Sequence, residues 1–290
     1  ALPIFESQGG VSFVRDTKAP NITDASSNMV IVTDTASSII VTSNEPGVAR
    51  LDSAAVKLTD ASGNQATFTL AEQSSVTTQA LSVEDIFGLS TALGSVTLGT
   101  SGNDGTALVP VSSSAQYVYG FGGDDVLTSS YAGANNLGAN LYGGAGNDTL
   151  IGSVDKNNTF VGGAGRDILD LHGGNNTLIW NAVATSSGSV LASSDSNSIA
   201  KDHVYDFRTG LDTLMVVATG VNSVDLTTLQ HTIADPYKGS TAAFTQLSIN
   251  LDGITDATGT GDLVVEFAGT YAPADLLNAL SFNLTGTSGA

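Results

Sequence analysis

Four short segments of this chain carry a pair of residues with the means to hold a cation. They are Asn103–Asp104 in GTSGNDGTA, Asp124–Asp125 in GFGGDDVLT, Asn147–Asp148 in GGAGNDTLI and, with one exchange, Arg166–Asp167 in GGAGRDILD. All fit a nine-residue frame with glycine at positions 1, 2 and 4, Asp at 6 and an apolar residue at 8. The second copy departs only in Phe121 at position 2, and the first is degraded, keeping Gly99, Gly102 and Asp104. In an extended turn successive residues face opposite ways, so two stacked turns bring backbone carbonyls and position-5 and position-6 side chains into one gap. Such an oxygen-only cage of about six ligands suits Ca2+ far better than zinc or copper.

Position 5 reads Asn103, Asp124, Asn147 and then Arg166, after which no further copy follows. An arginine is harmless on a face with no next turn, so position 5 is expected to face the following coil and position 6 the preceding one. This polarity predicts several calcium sites: Asn103 with Asp125, Asp124 with Asp148, and Asn147 with Asp167. The candidate carbonyl ligands are those of Gly120, Gly122, Gly123, Gly143, Ala145, Gly146, Gly163 and Gly165.

The elements that position these residues follow from the same spacing. Successive copies start 21, 23 and 19 residues apart, and between them lie AGANNLGANLY, DKNNTFV and GGNNTLIW, a second family whose Asn157 and Asn175 stand 18 apart. Two nine-residue halves per turn build a flattened parallel β-roll. Glycines make each tight turn with positive φ, and the x-U-x that follows forms a short strand with its apolar residue inward. Leu127, Leu150 and Leu169 are expected to stack on one sheet, and Leu137, Phe160 and Leu178 on the other. Three good copies with strand residues in phase argue against a flexible glycine linker.

The fold class expected is all-β, in four segments. Residues 1–15 read as short strands ending a preceding segment. Residues 16–97 carry strand-like runs (MVIVT, SIIVT, AAVKL, QATFTL) at short spacing with turns such as DASGN between them, the pattern of a small antiparallel sandwich. SVEDIFGL at 82–89 reads as a short helix closing that unit, with Ser82 and Asp85 as a capping pair. The roll occupies 98–180, and 181–290 forms a β-rich C-terminal cap. A helix over 273–280 is expected there, with Pro273 in its first turn and Leu276, Leu277 and Leu280 on one face.

Composition narrows the function. The chain has 28 Asp and Glu against 9 Lys and Arg, net charge −19, and only five of the acids are Glu. That balance argues against nucleic acid and anionic membrane as partners. Asp rather than Glu suits tight turns and close coordination. There is no Cys, so a protein working outside the cell needs another staple, and metal ions are the candidate. No apolar run approaches the ~18 residues of a membrane span. The opening ALPIFESQGG lacks the basic and apolar regions of a secretory signal, which leaves a removed signal, another export route or a fragment of something longer.

A search for an active site finds no H-E-x-x-H, no G-x-S-x-G and no G-x-x-x-x-G-K-[ST]. His172, His203 and His231 are scattered along the chain. His172 reads as structural at a roll turn and Trp180 as packing the cap. The expectation is a protein that is not an enzyme.

The nonapeptides resemble those of the repeats-in-toxin (RTX) family, whose nine-residue units bind calcium along a β-helix. A second stretch, DHVYDFRTGLDTLMV at 202–216, resembles the D-x-I-x-D-F-x-x-G-x-D-x-L segment that follows such rolls in secreted proteases. By that likeness Asp202, Asp206 and Asp212 cap the roll or bind another calcium; surface Asp in turns is the plainer alternative. GDLVVEFAGTYAPADLLNALSF at 261–282 is similar to C-terminal ends that carry an uncleaved export signal. The stretch from DTKAP to ATFTL resembles bacterial immunoglobulin-like modules. Together these likenesses imply a secreted or cell-surface protein of a Gram-negative bacterium that folds on meeting millimolar calcium. Binding at ~0.1 mM in ~2 mM calcium would stabilise by ~1.8 kcal/mol per site. The leading expectation is a self-associating surface-layer protein. The alternatives are a ligand-binding adhesin tip and the export-and-folding tail of a secreted enzyme.

Overall fold

The structure is a computed structural model and describes residues 30–35, 37–43, 46–58, 65–85, 88–104, 107–108, 115–129, 137–183, 195–197, 199–219, 224–251 and 263–285. The expected strands at 1–15 and the DASGN turn lie outside these residues. The chain divides into two compact units, 1–71 with 79–96, and 72–78 with 97–290.

The first unit is built from β1 (Val30–Thr35), β2 (Ser38–Ser43), β3 (Gly47–Leu51), β4 (Ala54–Leu58), β5 (Gln65–Thr69), β6 (Thr77–Asp85) and β7 (Ser90–Leu98). Alternation puts Ile39 and Val41, Ala66 and Phe68, Ala49 and Leu51, and Leu81 and Val83 on buried faces while their neighbours meet solvent. The strand orders are β1-β2-β5 and β4-β3-β6-β7, antiparallel at β1–β2, β2–β5, β3–β4 and β3–β6, a three-plus-four division of immunoglobulin-like type. The helix expected at 82–89 is not formed at its start: Ser82–Asp85 is the end of β6, in register with Gly47–Arg50 of β3. The two-residue period of Leu81 and Val83 outweighs a weak capping pair; residues 86 and 87 lie outside the described residues.

The second unit is the roll. It contains β8 (Ala107–Leu108), β9 (Ala115–Gly122), β10 (Val126–Thr128), β11 (Leu137–Ala145), β12 (Thr149–Ile151), β13 (Asn157–Ala164), β14 (Ile168–Asp170), β15 (Thr177–Val183), β16 (Asp202–Tyr205) and β17 (Thr213–Thr219). After these come β18 (Asp225–Ala234), β19 (Thr241–Asn250), β20 (Leu263–Ala268), α1 (Pro273–Ala279) and β21 (Leu280–Thr285). One sheet runs β18-β19-β20-β16-β14-β12-β10-β8 and the other includes β21-β17-β15-β13-β11-β9. Among the described residues the ladders from β8 to β17, with β20 and β21, are parallel, and the β18–β19–β20 meander is antiparallel.

Leu127, Leu150 and Leu169 stack in register and continue to Val204 and Phe267. On the other sheet the stack is Val118, Leu141, Phe160, Leu178, Leu214 and Leu280. Leu141 therefore takes the place expected for Leu137, which pairs with Asn157 ahead of a register shift. Leu141 and Phe160 each stand two residues before the glycine run, so counting back from glycine, rather than forward from asparagine, finds the buried position. Burying each of these side chains stabilises by about 1.5–3 kcal/mol. The first copy pairs Leu127 with Ala107, one residue later than the frame.

Parallel pairing continues beyond 180 through β16, β17, β20 and β21, so part of the segment expected as the cap extends the two sheets of the roll. In α1 only Leu276 is buried. Leu277 is exposed, and Leu280 belongs to β21, where it pairs with Leu214. Extended backbone at Leu280 ends the helix one residue early. No helix among the described residues is long and apolar enough to cross a membrane.

Candidate metal centre

The turn backbone comes first. Positive φ falls at positions 2 and 4 of the frame: Phe121 (73°), Gly144 (113°) and Gly163 (99°), then Gly123 (99°), Gly146 (137°) and Gly165 (140°). A Cβ at Gly146 or Gly165 would also collide with the carbonyl of Gly123 or Gly146 in the preceding coil. Glycine is thus required there twice, for dihedral and for space. Phe121 holds the same conformation at a steric cost.

This backbone sorts the carbonyls. Those of Phe121 and Gly123 lie against Gly144 and Gly146 of the following coil. Those of Gly143 and Ala145 turn the other way: the first lies against Gly120 and the second accepts the Gly123 N–H (2.9 Å). Side chains follow the same division. Position 5 reaches forward, Asn103 Oδ1 accepting the Asp124 N–H (2.9 Å), Asp124 Oδ1 that of Asn147 (2.7 Å) and Asn147 Oδ1 that of Arg166 (3.1 Å). Position 6 reaches back: the Asp125, Asp148 and Asp167 Oδ1 atoms accept the N–H groups of Asp104 (2.7 Å), Asp125 (2.8 Å) and Asp148 (2.8 Å).

The gap between the second and third copies is consequently faced by six oxygens, from Phe121, Gly123 and Asp124 on one side and Gly143, Ala145 and Asp148 on the other. The next gap has Gly144, Gly146 and Asn147 against Gly162, Ala164 and Asp167; the Ala164 carbonyl accepts the Gly146 N–H (2.8 Å). Gly162 and Ala164 stand where the repeat frame predicts Gly163 and Gly165, and the Phe121 and Gly144 carbonyls join them. Applying the alternation that sorted the side chains to the carbonyls would have found them. In the first gap the Gly120 carbonyl lies against Gly99, with Asn103 and Asp125 alongside, while Gly122 donates its N–H to Thr100 (3.4 Å).

Electrostatics mark the position-6 Asp residues. Each spends one oxygen on a backbone N–H; the other, Oδ2 of Asp125, Asp148 and Asp167, is buried without a hydrogen-bond partner. Burial, opposed by the backbone hydrogen bond and reinforced by neighbouring carboxylates, raises these groups from the usual 3.8 to about 6, about 7 and about 8. Stacked, half-satisfied carboxylates lack a counter-charge. Among the described residues no three His, Cys, Asp or Glu side chains converge as metal ligands, so carbonyls must complete any cage. Carbonyls and carboxylates alone are the donor set of a hard cation, and the residues fit calcium.

The opposite edge of the roll has the same ladder in neutral form. Asn158 Oδ1 accepts the Ala139 N–H (3.1 Å), Asn176 Oδ1 that of Asn158 (3.0 Å) and Asp212 Oδ1 that of Asn176 (2.8 Å). Asp212 closes this column, its Oδ2 taking the Arg208 N–H (2.7 Å). Asp202 closes the acidic one, accepting from Asp167 N (3.0 Å) and Trp180 Nε1 (2.7 Å). Both Asp thus have their two carboxylate oxygens engaged at the end of a column. Asp206, exposed with φ 60°, joins neither column. Trp180 is buried, and His172, with φ 51°, places Nε2 3.3 Å from Asp170 Oδ2 at a turn.

Two histidines scattered in sequence meet in space. Glu266 on β20 lies 3.3 Å from His203, 3.5 Å from His231 and 2.9 Å from Lys201. Although burial opposes it, the His203 and Lys201 bonds bring Glu266 down to about 2. Lys201 supplies the countercharge here, and the cluster ties β16, β18 and β20 together. Nothing in the sequence signalled it, because Glu266 lies 35 to 65 positions from its three partners, in parts with no repeat.

Residues 142–178 match the family model of the RTX calcium-binding nonapeptide repeat, in four copies. No curated protein matches. Among solved structures, extracellular lipase LipA from Serratia marcescens is similar at 13% identity and a TM-score of 0.40, over 88% of this chain and 31% of the lipase. The chain thus spans under a third of that protein's length. On the turns, the paired carboxylates and the match together, residues 142–178 are RTX calcium-binding nonapeptide repeats.

Proposed function

We propose that this chain is a calcium-dependent structural protein of the bacterial exterior, whose roll closes around Ca2+ and whose units assemble at the cell surface in the manner of a surface layer. One observation carries the calcium part: three buried Asp residues in successive coils each leave one carboxylate oxygen unpartnered, in turns whose glycines bring backbone carbonyls against the neighbouring coil. Ca2+ would neutralise the column and bridge adjacent coils. Asp124 with Asp148 would hold the most strongly charged site. Asn147 with Asp167 and Asn103 with Asp125 would hold the others.

The extracellular and assembly parts rest on chemistry at longer range. Sites formed mostly of carbonyls belong where calcium is millimolar. A chain of net charge −19 repels its own copies until a divalent ion screens or bridges them, which makes calcium the natural trigger for association as well as folding. No catalytic role is assigned.

A calcium titration of the purified chain, followed by far-ultraviolet circular dichroism and negative-stain microscopy on the same samples, tests both parts. β signal gained at sub-millimolar to millimolar calcium together with ordered sheets supports the proposal. The same gain with monomers alone removes the assembly role, and no response removes the calcium roll.

A further inference from the structure

The acidic column has four steps, and the fourth is built differently from the other three. In the first three gaps the position-6 Asp leaves Oδ2 unpartnered. In the fourth, between the turn at 162–167 and the one leading to β16, Asp202 has both oxygens engaged, Oδ1 by Asp167 N and Oδ2 by the Trp180 indole N–H. Position 5 changes as well. Asn103, Asp124 and Asn147 send oxygen across their gaps, whereas Arg166 sends a guanidinium, whose Nη2 donates to the Ile199 carbonyl (3.4 Å) of the following turn. Sequence reasoning took this arginine to face no further coil. The structure supplies that coil, and the arginine crosses to it.

A carbonyl-lined gap beside a buried carboxylate can be neutralised by a bound ion or by a tethered one. We infer that Arg166, with Trp180, takes the place of a fourth calcium and so sets the number of ions in the acidic column at three. The fixed cation meets the Ile199 carbonyl that faces back from the following turn, and the indole N–H satisfies the Asp202 oxygen that calcium would otherwise draw. The exchange continues one step further. Lys201, immediately before Asp202, reaches Glu266 (2.9 Å) and Gln246 (2.8 Å) on the next strands. The column therefore passes from oxygen donors requiring an added ion to side chains carrying their own charge.

The inference rests on the calcium reading, and the experiment separates the two. Bound calcium is counted by equilibrium dialysis and atomic emission on the full chain at saturating calcium. The wild type is compared with Arg166→Asp, which copies the chemistry of Asp124, with Arg166→Asn/Trp180→Phe, which also frees Asp202 Oδ2, and with Asp148→Asn. Circular dichroism confirms the fold of each. Asp148→Asn is expected to lose one calcium per chain and at least one Arg166 variant to gain one. If Asp148→Asn loses an ion while both folded Arg166 variants keep the wild-type count, the calcium roll stands and the role of Arg166 is overturned. A wild type that binds no calcium overturns both.

Discussion

The two edges of the roll use one device with two chemistries. On both, a side-chain oxygen reaches back one coil and accepts a backbone N–H: Asp125, Asp148 and Asp167 on one edge, Asn158 and Asn176 on the other. The second side-chain atom separates them. Asn158 Nδ2 donates to the Ser153 and Lys156 carbonyls, and Asn176 Nδ2 to that of Gly173. An amide thus carries its own donor to the turn, whereas a carboxylate leaves a buried oxygen and a charge. The neutral edge is complete in the chain alone, and the acidic edge needs a cation. On the proposed reading, a roll with an asparagine ladder on both edges would be permanently folded, and aspartate on one edge would make folding conditional on calcium.

The sharpest way to break this comparison is to withdraw calcium. Three sites, as proposed, at ~0.1 mM in ~2 mM calcium would be worth ~5 kcal/mol together, comparable with the whole stability of a domain. Calcium-free samples should lose the roll's β signal in hydrogen exchange beginning at the acidic edge. Equal protection of Asp148 and Asn158 amides without calcium would count against it.

Backbone crowding, by contrast, should be indifferent to edge. Gly146→Ala meets the Gly123 carbonyl and Gly174→Ala meets that of Lys156, both at positive φ. Each is expected to cost about 3 kcal/mol or more in denaturant titrations, with calcium present or absent.

Exchanging the chemistries comes next in size. Asn176→Asp places an unneeded buried charge on the neutral edge and should cost about 2–3 kcal/mol without regard to calcium. Asp148→Asn should raise the calcium-free melting midpoint by a few degrees, because it removes an uncompensated buried carboxylate, while lowering the calcium-loaded one. The idea fails if Asp148→Asn lowers both midpoints equally.

Proton dependence sharpens the same point. Asp125, Asp148 and Asp167 have folded-state values of about 6, 7 and 8, above the ordinary 3.8. The calcium-free fold therefore takes up more protons than the unfolded chain. The stability these three groups contribute is fullest at low pH and is lost as pH rises from about 4 through 8. With calcium the trend reverses over pH 5 to 8, because protons compete for the same oxygens. Thermal melts at pH 5 and 8, with and without calcium, should cross; parallel trends would refute the shared site. The smallest effect is expected from Phe121→Gly, which relieves a positive φ at the expense of the ring's stacking on Tyr119. A gain of about 0.5–1 kcal/mol is anticipated by chemical unfolding.

Much of the site could be read from the chain because its geometry is local and repeated. Glycine at two positive-φ positions, Asp at the sixth and leucine at the eighth are demands that one turn makes on its own residues, restated in each coil. What escaped was either shifted by irregularity or assembled from afar. Leu141 replaced Leu137 because AGANNLGANLY holds two leucine candidates and only pairing with Phe160 chooses between them. Ser82–Asp85 became strand because a partner, β3, was available.

By itself the sequence determined the nine-residue turn, its oxygen donors and the opposite facing of positions 5 and 6, since backbone dihedrals and alternation operate within a few residues. Only the tertiary structure decided where the roll ends. Another coil, formed after 18 intervening residues, turned Arg166 from a terminal residue into a bridge. It brought Trp180 to Asp202 and gathered His203, His231 and Lys201 around Glu266. Those contacts depend on which strands become neighbours, a choice made by burial over the whole core rather than by any local pattern.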